Sequence, residues 1–365
     1  MKKLKIAILG TRGIPNNYGG FEECAEKLSY IMAKLGHNVT VYNPDIHPYK
    51  GSKWNGVNIK KIFSKENKLK IIGNFIFDYL SLRDAVKEKN DIILELGYSP
   101  SALFYNIVKR GDAKIVTNMD GLDWKREKWS FVARNLLRYS EKLAVKSSDA
   151  LVADNSGIAE YLKEIYDTDC YFIPYGAELF DKPDFSVIKD YDLTEHRYYL
   201  VIARIEPENN IEIILNGYVA ADVKIPIVIV GPRNTSHGNY LGKKYSSNLG
   251  IRFLGGIYDK SILDNLRYHC RLYFHGHSVG GTNPSLLEAM AAGAQVVAHD
   301  NIFNRSVLGN GSLFFISPDD VKNILCDLPK KDTDVIKRNM ERISGIYNWD
   351  SISEKYLDLF YKING

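Results

Sequence analysis

The stretch LKIAILGTRGIPNNYGGF, residues 4–21, decides how the rest of the chain is read. Leu4–Leu9 is a short apolar run, the mark of a strand buried in a parallel sheet. A Gly-rich loop over Gly10–Gly20 follows, and apolar residues then recur at helical spacing through Ala25, Leu28, Ile31, Met32 and Leu35. Gly36 stops that helix, predicted over Phe21–Leu35, and Asn38–Tyr42 supplies the next strand. Strand, loop, helix and strand in this order are the start of an α/β array.

Working outward, strands are predicted at Ile59–Ile62, Ile92–Leu96, Lys114–Thr117, Ala150–Ala153 and Tyr171–Ile173. Helical stretches lie between them at Phe75–Val86, Phe131–Lys146 and Ile158–Tyr166. The segment Ala177–Tyr191 is polar, contains Pro183 and has neither periodicity, so it reads as a linker. The pattern then restarts with strands at Tyr198–Ala203, Pro226–Val230, Ile251–Leu254, Leu272–His275 and Gln295–Ala298. Helices are predicted among them at Asn210–Ala220, Lys260–Tyr268 and Ser285–Ala292. Two doubly wound domains are therefore expected, over 1–185 and 190–345. Residues 346–365 add an amphipathic helix that either half can receive, with a return to the first domain as the working assignment.

Composition agrees with that size. A chain of 365 residues exceeds one ordinary open α/β domain, and 45% hydrophobic with 25% charged residues is usual for a globular protein. A net charge of +4 does not advertise nucleic-acid binding. The four cysteines form no CxxC pair, which argues against a structural zinc site or a disulfide framework. No run approaches the roughly 18–20 apolar residues needed to cross a bilayer, so a cytoplasmic protein is expected, at most touching a membrane.

Four stretches carry chemistry. In GTRGIPNNYGG, residues 10–20, four glycines let backbone N–H groups turn toward a ligand, and Gly19 and Gly20 abut a helix N-terminus that favours phosphate. Turn geometry alone is the plainer explanation. A dinucleotide fingerprint is disfavoured, because G-x-G-x-x-G is absent and the second strand ends at Asn43 rather than at an acid. In HGHSVGGTNPSLLEAMAAG, residues 275–293, Pro284 suits a first helical turn, and N–H groups around Ser285–Leu287 would form a second anion site. Glu288, one turn in, either accepts from a sugar hydroxyl or merely complements the helix dipole. His275 and His277 lack a third ligand, so no metal is expected. In ARIEPENN, residues 203–210, Arg204 leaves a strand end and either grips phosphate or pairs with Glu206 or Glu208. In NMDGLDWKREKW, residues 118–129, Asp120 follows a strand, and Trp124, Lys125, Arg126, Lys128 and Trp129 interleave bases with aromatics. That mixture suits an anionic acceptor or membrane, or a solvated helix start with its tryptophans packed inward. The basic series continues through Arg134, Arg138, Lys142 and Lys146 beside Phe131, Leu136 and Leu137.

The stretches ILGTRGIPNNYGGFE, GLDWKREKW, ADNSGI, IPYGAE, RIEPENN and HSVGGTNPSLLEAM resemble the family-four retaining glycosyltransferases, and within them the bacterial β-1,4-rhamnosyltransferase branch. The resemblance covers nearly the whole chain. It implies a GT-B fold, two Rossmann-like domains facing across a cleft, with a nucleotide sugar held between them. It further implies a dTDP-L-rhamnose donor, a polyprenyl-diphosphate-linked saccharide acceptor at the inner face of the membrane, and polysaccharide synthesis for capsule or cell wall. Site roles follow from it residue by residue. Glu288 would grip the nucleoside sugar and Arg204 the diphosphate. Asp120 falls where relatives often carry a His that contacts the transferred sugar, making Asp120 and Arg204 the catalytic candidates. Gly19, Gly20, Asn210, Gly281, Thr282, Asn283, Ser285 and Leu286 complete the donor side. Arg12, Tyr18, Trp124 and Lys125 are assigned to the acceptor.

Two departures stand out. The wider family carries Glu-x7-Glu, and here the first Glu is Gly280; its Arg-x5-Lys pair becomes Arg204 with Asn210. Both fit a 6-deoxy donor that offers fewer groups to bind. No cofactor and no metal are expected. A UDP- or GDP-hexose donor, a nucleotide-sugar epimerase and a non-catalytic nucleotide-sugar sensor stay open as alternatives.

Overall fold

The structure is a computed structural model that describes residues 2–17, 19–64, 71–126, 129–309 and 311–365. It divides into two units, one of residues 1–175 with 349–365 and one of 176–348.

The first unit runs β1 (Lys5–Leu9), α1 (Gly20–Lys34), β2 (Asn38–Pro44), β3 (Lys53–Trp54), β4 (Val57–Ile62), α2 (Ile71–Lys87), β5 (Ile92–Leu96), β6 (Lys114–Asn118), α3 (Phe131–Ser147), β7 (Ala150–Ala153), α4 (Ser156–Tyr166) and β8 (Tyr171–Phe172). Among the described residues its sheet has the order β3-β4-β2-β1-β5-β6-β7-β8, and the β3–β4 pair is antiparallel while the others are parallel. β1 is central, with Ile6 level with Val39 on one side and Ile92 on the other. Strands so placed are covered on both faces, which is why Ile6, Ala7, Ile8, Ile92, Ile93 and Leu94 are fully buried and show no alternation. The winding reverses between β1 and β5. Loops leaving the carboxyl ends of two strands at such a point diverge and open a crevice.

The second unit begins with α5 (Phe185–Lys189) and continues β9 (Tyr199–Ile202), α6 (Ile211–Ala221), β10 (Ile227–Val230), α7 (Ser236–Lys244), β11 (Ile251–Gly255), α8 (Lys260–His269), β12 (Leu272–His275), α9 (Pro284–Ala291), β13 (Val296–His299), α10 (Ile302–Leu308), β14 (Leu313–Phe315), α11 (Pro318–Cys326) and α12 (Thr333–Gly345). Its sheet is β11-β10-β9-β12-β13-β14, parallel throughout, with the reversal between β9 and β12. Tyr199, Val201 and Phe274 pack from the sheet onto Ile214 and Leu215 of α6 and Val321 of α11. The chain ends in α13 (Trp349–Asn364), which belongs to the first unit: Asn118 Nδ2 donates to Tyr356 Oη at 3.2 Å and Tyr361 Oη donates to the Lys2 carbonyl at 2.9 Å.

The expected linker at 177–191 contains one short helix, α5, whose N-terminus is capped by Asp184 accepting from Ser186 N at 2.8 Å. Five residues are too few for a helical period to show. No helix among the described residues is long and apolar enough to cross a membrane.

Candidate functional site

In the second unit the loops after β9 and β12 leave the sheet on either side of the reversal. The backbone stays sheet-bound through Ala203, whose N–H donates to the Val230 carbonyl at 3.0 Å. Arg204 is the first residue beyond it. Its side chain is exposed, and among the described residues it forms no ion pair, with Glu206 and Glu208 included. Asn209 fixes the turn that presents it. Its Nδ2 donates to the Arg204 carbonyl at 2.7 Å, so its Oδ1 must accept from His277 Nδ1 at 3.0 Å. Asn210 Nδ2 donates to the Gly276 carbonyl at 2.8 Å, and Ser278 donates through N and Oγ to the Glu208 carbonyl at 3.0 and 2.9 Å. The approach is so close that a Cβ on Gly276 would lie 1.9 Å from the Asn209 carbonyl oxygen. Asn210 thus braces one loop on the other.

The loop then enters α9. Asn283 caps it, accepting from Ser285 N at 2.9 Å through its side chain, while its carbonyl accepts from Leu286 N and Leu287 N at 3.0 and 3.3 Å. The N–H groups of Ser285–Leu287, expected to face an anion, are therefore engaged within the helix start. Upstream, the N–H groups of Gly280 and Gly281 make no hydrogen bond among the described residues, and Thr282 beside them is buried. Among the described residues, these N–H groups are left free for an anion. Gly280 sits at φ +134, where a Cβ would come within 3.0 Å of His277 Nε2. The loop is built for glycine here, which explains the missing first Glu in backbone terms.

Glu288 is 18% exposed, and its Oε2 is ion-paired with Arg267. Arg267 is buried. Its Nη1 meets Asp264 Oδ1 at 3.0 Å and its Nη2 donates to Ser285 Oγ at 3.2 Å. Ser285 Oγ also lies 2.8 Å from Tyr273 Oη. Deeper in, His275 is buried with no partner for Nε2 among the described residues. Burial first, and then His277, Arg267 and His299, hold its pKa well below the usual imidazole value, so the ring is neutral. Among the described residues no group of three or more His, Cys, Asp or Glu is arranged to hold a metal ion.

The first unit presents the remaining candidates. Gly19 caps α1, but the first turn already holds Glu22 and Glu23. Glu22 is buried, accepts from Arg12 N at 2.7 Å, and has its pKa raised by burial. A phosphate at Gly19–Gly20 would meet this carboxylate, so the helix start carries its own anion. Arg12 is half-buried beside it, and Tyr18 lies outside the described residues. Asp120 follows β6 in a left-handed conformation, φ +47, with its N–H donating to Asn118 Oδ1 at 3.0 Å. Trp124 is half-buried. Its Nε1 donates to Glu141 Oε2 at 3.1 Å, and the Arg138 guanidinium carbon stands 4.0 Å from its ring centroid, with Lys125 Nζ at 5.4 Å. Glu141 is 1% exposed and also accepts from Tyr98, Tyr161 and Tyr166 at 3.3, 2.8 and 2.7 Å. Sequence reasoning missed Glu141, Arg267 and Asn209, which take partners remote in the chain, and Glu22, which folds back on Arg12 ten residues before it.

Residues 188–328 match the family model "Glycosyl transferases group 1", and residues 3–178 match "Domain of unknown function (DUF1972)". No curated protein matches the sequence. Among solved structures, the sucrose-phosphate synthase of Thermosynechococcus elongatus superposes with a TM-score of 0.79 at 16% identity, covering 99% of both chains. HepE of Anabaena, solved with UDP and glucose, gives 0.76 at 14% identity over 98% of this chain and all (100%) of its own. TarM of S. aureus, a mutant solved with UDP and two saccharide ligands, gives 0.71 at 12% over 98% and 100%. At these identities the likeness establishes the fold, which is GT-B.

Proposed function

We propose, from a chain whose residues 188–328 match the model of group 1 glycosyl transferases, that the protein moves L-rhamnose from dTDP-L-rhamnose to a polyprenyl-diphosphate-linked saccharide, with retention. The observation that carries a nucleotide-diphosphate donor is the convergence at one sheet reversal. There Arg204, which forms no ion pair among the described residues, and the N–H groups of Gly280 and Gly281, unused among them, belong to loops laced together by Asn209 and Asn210, and the Glu288 carboxylate stands on the helix α9 that the second loop enters. Cationic and N–H donors suit the diphosphate, and a carboxylate suits nucleoside hydroxyls. The rhamnose and the lipid acceptor are supported by the sequence resemblance, and Gly280 in place of Glu fits a donor with fewer hydroxyls to read.

The bond from the anomeric carbon to the β-phosphate oxygen breaks while the acceptor oxygen attacks from the same face. The acceptor proton passes to the departing phosphate, whose growing charge Arg204 and the loop N–H groups stabilise. These groups do what a divalent ion does elsewhere, so no metal is required. Asp120, in the first unit, handles the acceptor or the transferred sugar. A UDP-hexose donor is the second reading, favoured by the UDP found in HepE and TarM.

The test is a screen of nucleotide release across dTDP-, UDP- and GDP-sugars, with a lipid-linked GlcNAc or glucose acceptor and excess chelator. Acceptor-dependent release of dTDP from dTDP-L-rhamnose is expected. Release that stops with chelator and returns with Mg²⁺ would refute the metal-independent mechanism, and release from UDP-hexose alone would replace the donor.

A further inference from the structure

The inference rests on reading Glu288 as the acceptor for nucleoside hydroxyls. A free carboxylate offers two oxygens, and such a pair can take both vicinal hydroxyls of a ribose, at 2′ and 3′. Glu288 does not offer both on equal terms. Its Oε2 is bound to Arg267, whose side chain is 1% exposed. Arg267 cannot follow a moving carboxylate, because Asp264 holds Nη1 at 3.0 Å and Ser285 Oγ takes Nη2 at 3.2 Å. Each of those partners is fixed in turn. Lys260 Nζ meets Asp264 Oδ2 at 2.7 Å, and Ser285 Oγ lies 2.8 Å from Tyr273 Oη and 3.3 Å from the Ile202 carbonyl. Rotating Glu288 to present both oxygens would strip a buried guanidinium of a charged partner, which is strongly unfavourable. Oε1 alone makes no hydrogen bond among the described residues.

We propose that Arg267 is a positioning residue that sets the sugar specificity of the nucleotide. By holding one oxygen of Glu288, it leaves a single strong acceptor for the 3′-hydroxyl, which ribo- and deoxyribonucleotides share. A 2′-hydroxyl meets only the lone pair left on Oε2, whose charge Arg267 already takes up, and gains little from it. The site accordingly admits a 2′-deoxyribonucleoside diphosphate sugar as readily as its ribonucleoside counterpart, whereas an unencumbered Glu288 would favour the ribonucleotide.

UDP and dUDP differ only at the 2′ position and isolate the effect. Calorimetric titration of the full chain is expected to give dissociation constants for the two within about threefold of each other. Arg267→Met frees Oε2 and is expected to favour UDP over dUDP by about tenfold, the worth of one more hydrogen bond to a charged group. Arg267→Lys, which keeps a cation on Oε2, is expected to retain the parent ratio. A parent that prefers UDP by more than about tenfold overturns the proposal, as does a folded Arg267→Met protein with the parent ratio. If Arg267→Met does not fold, the parent ratio decides alone. Glu288→Ala should weaken both nucleotides equally. If it changes neither affinity, the reading of Glu288 itself fails, a result distinct from the failure of Arg267 to set the ratio.

Discussion

Two buried carboxylates in the first unit are treated in opposite ways. Glu141 receives four donors, from Tyr98, Trp124, Tyr161 and Tyr166, and so holds the aromatic segment before α3 in place. Glu95 receives Ser101 Oγ at 2.6 Å, while its Oε2 is buried without a partner among the described residues, and Ser101 Oγ also lies 3.0 Å from Asp78. Burial, and then the Asp78 charge, push the Glu95 pKa well above its ordinary 4.5. The native state therefore keeps this proton at pH values where the unfolded chain has lost it. Its contribution to stability is complete below pH 4.5 and is lost as pH rises toward the folded-state pKa. Glu95→Gln, neutral at every pH, is expected to melt higher than the parent at about pH 8, with the gap closing toward about pH 5. A gap that does not vary between those values contradicts the protonated assignment, and thermal melts across the range would reveal it. At this scale the placing of Glu288, Arg204 and Asp120 near a strand or helix end was legible in the sequence, because each lies in a local motif. Arg267 was not, since its partner Glu288 is 21 residues away and the pairing exists only once α8 and α9 pack. Glu141 is further still from the motif logic, 43 residues from Tyr98.

Among the elements, α3 has two unlike faces. Leu137, Ser140, Glu141 and Ala144 are buried, whereas Phe131 and Val132 are 79% and 76% exposed. Leu136 and Tyr139 join them on the surface, with Arg138, Lys142 and Lys146 also exposed. Lys128, which the sequence places in the same basic series, lies outside the described residues. An apolar face ringed by cations suits an anionic bilayer, each basic side chain near the surface contributing about 1 kcal/mol. Flotation is expected to recover the protein with vesicles containing anionic phospholipid and to leave it unbound with neutral ones. Phe131→Glu is expected to abolish recovery, and equal recovery with both vesicle types would count against this face as the contact. Element type was readable wherever a run was long or bounded by glycine, as with β1, β5 and α3. The sequence reading assigned nothing to α10, β14 and α11, between residues 302 and 326, because β14 is only three residues long and the apolar positions of α10 are set by packing rather than by period. The loop N–H donors were misplaced by a few residues for a related reason. Asn283 takes up the first turn of α9 with both of its oxygens, and a capping residue of that kind moves the free donors back to Gly280 and Gly281.

For the molecule as a whole, both sheets wind the same way, and each presents its candidate residues on loops at the carboxyl ends of strands at or next to the reversal of strand order. That rule was usable from the sequence, since two strand–helix arrays fix where carboxyl-end loops must lie. The place of the terminal helix was not, because its amphipathic pattern does not say which sheet it covers, and its partner Asn118 is 238 residues from Tyr356. Ile352, Tyr356 and Phe360 of α13 are buried to within 1%. Truncation before Trp349 is expected to lower the melting temperature by at least several degrees, as calorimetry would register, because it uncovers the apolar surface that this face packs against and takes Tyr356 from Asn118 Nδ2. An unchanged melt would show that the first unit does not depend on the helix.

The central claim divides labour between the units: the second binds the nucleotide diphosphate, and the first acts on acceptor or transferred sugar. One pair of variants tests it, with dTDP affinity by calorimetry and rhamnose transfer measured on the same preparations. Glu288→Ala is expected to weaken dTDP binding by about 10- to 100-fold, the worth of a hydrogen bond to a charged group. Asp120→Asn is expected to bind dTDP like the parent and to transfer roughly 10²–10⁴-fold more slowly if Asp120 handles a proton. Parent-like dTDP affinity in Glu288→Ala, or a parent-like transfer rate in Asp120→Asn, would contradict the account.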